Sequence, residues 1–191
     1  MNSSSPSTLS PQDRETLLDI ARRSIRYGLD KGSPLPIGSE DFDAPLRAVR
    51  ASFVTLNHSG MLRGCIGHLE ATLPLVEDVA ENAFSAAFRD PRFPALTDAE
   101  YAGLELHISV LTPAEPLACD SERDLLRQMR PYRDGLILSE GLRRGTFLPS
   151  VWEQLPDPRD FLLHLKRKAG LPDEYWSPSL QVYRYETESF S

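Results

Sequence analysis

Two strand-like runs, Ala51–Leu56 and Met61–Ile66, are separated by Asn57-His58-Ser59-Gly60. That spacing and turn chemistry make a hairpin, which commits the middle of the chain to an antiparallel sheet. Whether the loop has two residues or three, a side-chain period of two puts Arg63 and Cys65 on one face, with Leu62 and Ile66 on the other. The apolar pair is expected to face the core. Further on, Leu104, Leu106, Ile108 and Val110 alternate with Glu105, His107 and Ser109 as a half-exposed strand stopped by Pro113. Gly135–Ser139 and Gly145–Leu148 read as a second hairpin around Gly141, and Leu180, Val182 and Tyr185 as a final strand.

Helical segments interrupt these strands. Ser10, Pro11 and Asp13 supply an N-cap, a first-turn proline and a carboxylate three residues after the cap, followed by Leu17, Ala21, Ile25 and Leu29 up to Gly32. Val76, Val79, Ala80, Ala83 and Ala87 mark a second helix that must end near Asp90, because the residue before Pro91 is pushed out of helical geometry. Its small alanines predict close packing on a sheet. Ser121 to Asp124 resembles a capping box, and Asp157-Pro158 opens a helix through Phe161, Leu162, Leu165 and Ala169 that Gly170 terminates. Gly32 to Arg50 reads as an ordered loop. Strands joined by hairpins, without regular strand–helix alternation, argue for an α+β fold with an antiparallel sheet flanked by helices and do not support a Rossmann fold.

At 191 residues the chain buries roughly 70% of its unfolded surface, enough for a core without metals or disulfides. A net charge of −7 argues against nucleic acid as a partner, because that affinity begins with neutralising phosphates. Cys65 and Cys119 match neither a disulfide framework nor a zinc spacing, so reduced thiols in a cytoplasmic protein are expected. The Ser-rich start has no secretory pattern and no apolar run reaches membrane length. Residues 1–12 are expected to be a flexible tail, with the domain over 13–191.

The ordered set Phe53-Val54-Thr55-Leu56, Leu62-Arg63-Gly64-Cys65-Ile66-Gly67 and Asp90-Pro91-Arg92-Phe93-Pro94 resembles the AmmeMemoRadiSam system protein A family, which carries an AMMECR-type domain. The likeness continues through Ser109-Val110-Leu111-Thr112-Pro113, Asp134-Gly135-Leu136, Phe147-Leu148-Pro149 and Lys168-Ala169-Gly170-Leu171-Pro172, from about residue 14 to 190. The resemblance implies a two-lobed domain whose N- and C-terminal segments share the larger lobe, with a cleft between lobes near the Arg-Gly-Cys-Ile-Gly strand. It also implies association with a MEMO-like protein and a radical-SAM protein. His58 and His68 stand where the family pattern does not demand histidine.

Cys65 is the candidate nucleophile, since positive charge from Arg63 on the same face would favour a thiolate; a Cys between glycines is equally a small buried hydrophobe. Gly64 and Gly67 could let an anionic ligand reach the backbone beside Arg63, or could mark a bulge or a crowded crossing of chains. Arg89 and Arg92 flank Asp90 as ligand-binding candidates or structural ion pairs. His107 on its strand's polar face is a possible general base or a solvated side chain. The four histidines show no metal-ligand spacing and no cofactor motif is present. Two functions remain open. In one, a substrate-handling component binds a small anionic or peptide substrate through Arg63, Gly64, Gly67, Arg89 and Arg92 and uses Cys65 thiolate chemistry. In the other, a non-catalytic adaptor binds the MEMO-like partner through aromatic residues among Tyr132, Phe147, Trp152, Tyr175 and Trp176.

Overall fold

The computed structural model describes residues 9–191. The chain divides into two compact units, one running up to Leu111 and taking in Glu188–Ser191, the other spanning Thr112–Thr187. The part of the expected tail over residues 1–8 lies outside the described residues. Leu9 does not belong to a tail: it is buried, and its N–H donates to Glu188 Oε2 at 3.0 Å.

In the first unit, helix α1 (Pro11–Lys31) begins as the sequence predicts. Ser10 caps it with a reciprocal Asp13 contact, and Gly32 closes it at φ 72°. A short helix α2 (Ala44–Arg47) lies in the segment read as a loop. Strands β1 (Ser52–His58) and β2 (Met61–Gly67) form the hairpin, joined by two residues, Ser59 and Gly60, both at positive φ as a type I′ turn requires. After β2 come helix α3 (Leu75–Phe88), helix α4 (Asp98–Tyr101) and strand β3 (Leu104–Leu111). The C-terminal strand Thr187–Phe190 completes a sheet in the order β2, β1, β3, C-terminal strand. Arg50 Nη2 donates to Glu188 Oε1 at 3.0 Å, and the Ser109 and Ser189 hydroxyls bond at 2.9 Å.

Helix α3 is the centre of this unit and is buried on nearly all sides, as its alanines foretold. Ser24 of α1 donates to the Ala80 carbonyl at 2.7 Å. A Cβ on Gly28 of α1 would come within 2.4 Å of the Phe88 ring, and one on Gly64 of β2 within 2.1 Å of the Ala86 carbonyl oxygen. The helix thus reaches its neighbours through positions that carry no side chain. Its polar residues close a network the sequence did not reveal. Asp78, fully buried, accepts from the Ser52 amide at 2.8 Å, the Ser52 hydroxyl at 2.6 Å and Asn82 Nδ2 at 2.9 Å. The His68 ring lies 3.1 Å from its other oxygen, and burial raises the Asp78 pKa.

The second unit holds strand β4 (Glu115–Pro116), helix α5 (Glu122–Gln128), the hairpin β5 (Gly135–Glu140) and β6 (Arg143–Phe147), a 3-10 turn, helix α6 (Pro158–Lys168) and strand β7 (Gln181–Tyr185). Its sheet runs β4, β7, β5, β6, all antiparallel. The final strand read from the sequence is therefore two strands. β7 belongs here, and the C-terminal strand, β8, belongs to the first sheet. Leu125, Leu136, Leu138, Phe161, Leu165 and Val182 build the core with Trp152, which stacks on Phe161 at 3.9 Å. Trp152 is thus core, and Phe147, Tyr175 and Trp176 pack against it; of the aromatics proposed for an interface, Tyr132 alone is exposed, because the others are spent on this cluster. The chain is α+β, with two antiparallel sheets flanked by helices.

Gly64→Ala is expected to destabilise the protein by about 2 to 4 kcal/mol, since the new methyl meets helix backbone that cannot give way. Urea unfolding at neutral pH checks this; an unchanged midpoint would show that β2 can move off α3.

Candidate functional site at strand β2

The β1–β2 ladder pairs Asn57 with Leu62 and Leu56 with Gly64, so Arg63 is the extra residue of a β-bulge. The shift breaks the alternation on which a shared Arg63–Cys65 face depended. Leu62 comes onto the face of Cys65 and Thr55 and is exposed, contrary to its expected core position, while Ile66 packs against the core as expected. Arg63 turns toward the residues around α4. Its Nε donates to Glu100 Oε1 at 2.7 Å, and its Nη2 to Glu100 Oε2 at 3.2 Å and to the Pro94 carbonyl at 3.0 Å. Its Nη1 is buried without a partner.

Cys65 sits on the free edge of the sheet. Edge strands present unpaired N–H and C=O groups, and here two side chains satisfy them. The Cys65 N–H donates to Asp90 Oδ2 at 2.9 Å, and its carbonyl accepts from Arg92 Nη2 at 3.3 Å. Asp90 and Arg92 are joined by bonds of 3.0 Å from Nε and 2.7 Å from Nη2. A carboxylate and a guanidinium thereby replace a neighbouring strand. The Cys65 thiol is half-buried, and its sulfur accepts from the Thr55 hydroxyl at 3.2 Å.

Of the other residues singled out, Gly64 meets α3, and a Cβ on Gly67 would fall within 2.4 Å of the Ser52 carbonyl oxygen and the Phe53 ring. Both glycines serve a crowded crossing of chains. Arg89 turns back along α3, pairing with Glu81 at 2.9 Å and lying over the Phe84 ring at 4.7 Å. His107 is exposed and stands opposite Thr55, which stands opposite Cys65. The three form one row across three strands, but with strands about 4.8 Å apart His107 lies about 10 Å from Cys65. Only a bridging molecule could pass a proton between them.

Thr55 and Glu100 were not foreseen. Thr55 reads as one strand residue among several. Glu100 did leave a signal, because Thr97-Asp98-Ala99-Glu100 is a capping-box sequence, and the Glu100 carboxylate both caps α4 and receives Arg63. Among the described residues no group of three or more His, Cys, Asp or Glu could hold a metal ion. Arg63, followed by the Thr97 amide and hydroxyl, lowers the Glu100 pKa from its ordinary 4.5 to about 2. Arg92, with the amides of Cys65 and Arg92, holds Asp90 far below the usual carboxylate range.

A depressed carboxylate contributes stability that is complete above its unfolded value and is lost as pH falls through its folded value. The contribution of Glu100 should therefore fade between pH 4.5 and about 2. Glu100→Gln is expected to cost about 1 to 3 kcal/mol at neutral pH by leaving Arg63 half-satisfied, and to flatten that acid limb. Denaturant unfolding as a function of pH measures both; parallel acid limbs for the two proteins would remove Glu100 from the account.

A Methanothermobacter thermautotrophicus protein is 40% identical over 95% of each chain, and a Methanopyrus kandleri protein is 36% identical over 95% of this chain and 89% of its own. The crystal structure of an uncharacterized protein from Pyrococcus horikoshii superposes with a TM-score of 0.78 at 35% identity, covering 92% of this chain and 89% of that one. The AMMECR1 family model matches residues 18–190, a span that takes in the bulged β2, the Asp90–Arg92 clasp and Glu100, and the chain belongs to that family.

Proposed function

We propose that the protein is a cytoplasmic adaptor in a multi-protein modification system, binding a MEMO-like protein that works beside a radical-SAM protein. The system is what the resemblance of the sequence motifs to the AmmeMemoRadiSam system protein A family implies. The adaptor role is supported by one observation: every guanidinium put forward as an anion receptor at β2 already holds its own carboxylate, Arg63 with Glu100, Arg92 with Asp90 and Arg89 with Glu81. A set balanced one to one has little net charge to offer a small anionic substrate. Beside it the β1–β2 hairpin exposes Met61 and Leu62, apolar side chains of the kind that protein contacts cover.

A second reading rests on the Thr55 hydroxyl bonded to the Cys65 sulfur. In it Cys65 acts as a thiolate on a substrate that also reaches His107.

Co-expression of the full chain with the MEMO-like and radical-SAM proteins of the same genome separates the two. Co-purification should survive Cys65→Ser and fall about tenfold when Met61 and Leu62 are both changed to Glu, the scale of one buried anchor. Activity of the reconstituted set that vanishes with Cys65→Ser, while association is intact, would replace the adaptor with the enzyme.

A further inference from the structure

The segment leading into β5 carries a different charge balance. Arg130, Arg133 and Arg184 gather around two carboxylates, Asp134 and Glu186. Asp134 is fully buried; its Oδ1 accepts from Arg130 Nε at 2.8 Å and Nη2 at 2.6 Å, and its Oδ2 from the Arg130 amide at 2.8 Å. Glu186 Oε1 accepts from Arg130 Nη2 at 2.8 Å and Arg133 Nε at 2.9 Å. Arg184, on β7, comes no nearer than 4.0 Å to Asp134 Oδ1, an oxygen that already holds two donors. Glu115 stands opposite Arg184 on β4 without forming an ion pair with it among the described residues. Among the described residues Arg184 donates no side-chain hydrogen bond, so its guanidinium keeps open donors although the Glu115 carboxylate faces it from the next strand.

The same turn is strained. Tyr132, between Pro131 and Arg133, has φ 64°, a left-handed conformation that a bulky side chain enters at a cost. Burial does not offset that cost, because the Tyr132 side chain is 65% exposed. The conformation is fixed from beneath: the Asp134 amide bonds the Arg130 carbonyl at 3.0 Å, and Trp152 Nε1 donates to the Asp134 carbonyl at 2.8 Å. A rigid turn thus carries an exposed aromatic side chain next in sequence to Arg133. Arg groups of this kind match the planar oxygens of carboxylate and phosphate.

We propose that Tyr132, Arg133 and Arg184 form a binding site for an oxyanion, a carboxylate or a phosphate group. The site lies within the second unit and does not depend on the adaptor reading. Arg184 and the outer nitrogens of Arg133 are the donors, Arg130 is held back by Asp134, and the strained turn at Tyr132 carries Arg133.

Inorganic phosphate and acetate, titrated separately into the full chain at low ionic strength and followed by amide NMR, test this. Saturable shifts confined to residues 130–135 and 184–186 are expected; saturation by phosphate alone assigns a phosphate-bearing ligand, and by acetate alone a carboxylate. Arg184→Met should weaken binding about tenfold, the scale of one charge-assisted hydrogen bond, while Arg89→Met, which alters a pair on α3, leaves it unchanged. Arg133→Gln, an exposed position, gives the same reading if Arg184→Met does not fold. Tyr132→Asn, which suits a left-handed backbone, should raise the melting temperature and weaken binding together. Shifts that stay linear with concentration, or an affinity indifferent to both arginine substitutions, would overturn the site.

Discussion

The first unit depends on helix α3 being buried on nearly all sides. Such a helix can have no ordinary polar face, and its sequence meets that demand in two ways. Alanines and the facing glycines Gly28 and Gly64 let α1 and β2 approach its backbone closely. Where polar residues remain, Asp78 and Asn82 turn to Ser52 at the start of β1, so a carboxylate inside the protein ties helix to sheet rather than lying uncompensated. The end of the same helix then delivers Asp90 and Arg92 to the edge of β2. The candidate site is in this sense the terminus of the helix packing problem.

Much of this was legible from local rules. Caps, turn residues and alternation placed α1, α3, α6, the two hairpins and β3, because each is specified by neighbours in sequence. What local rules do not specify shares one cause, partners that are distant in the chain. A bulge adds a residue to one strand, and nothing within Met61–Gly67 announces it; the extra space is demanded by α3 against Gly64 and by Glu100, 37 positions from Arg63. β7 and β8 follow each other with one residue between them, and nothing in their sequence states that they join different sheets. The aromatics Phe147, Trp152, Tyr175 and Trp176 could be core or interface by composition alone, and only the second core cluster decides.

Within the Arg-Gly-Cys-Ile-Gly run, each residue now has a distinct physical task. Arg63 fills the bulge and binds Glu100, Gly64 admits α3, Cys65 offers its backbone to Asp90 and Arg92, Ile66 joins the core, and Gly67 clears Phe53. A motif in which every member is accounted for by contacts needs no chemistry to explain it. The thiol is the exception, since the clasp uses the backbone of Cys65 and leaves its sulfur, among the described residues, to a hydrogen bond from Thr55.

Arginine-rich clusters with similar residue types therefore differ in what they can do. At β2 each guanidinium has a carboxylate of its own, and the pairs stitch an edge strand to a helix end; adding an anion would mean pulling a carboxylate away from a partner that it already satisfies. Around Asp134 one guanidinium, that of Arg184, makes no hydrogen bond among the described residues, and the carboxylate nearest it is buried and saturated by Arg130. An incoming oxyanion displaces nothing there. It also meets a backbone at Tyr132 already held in an unfavourable conformation, so little ordering is left to oppose binding. Whether a guanidinium's donors are already taken, rather than the presence of arginine, is what separates a structural clasp from a receptor in this fold.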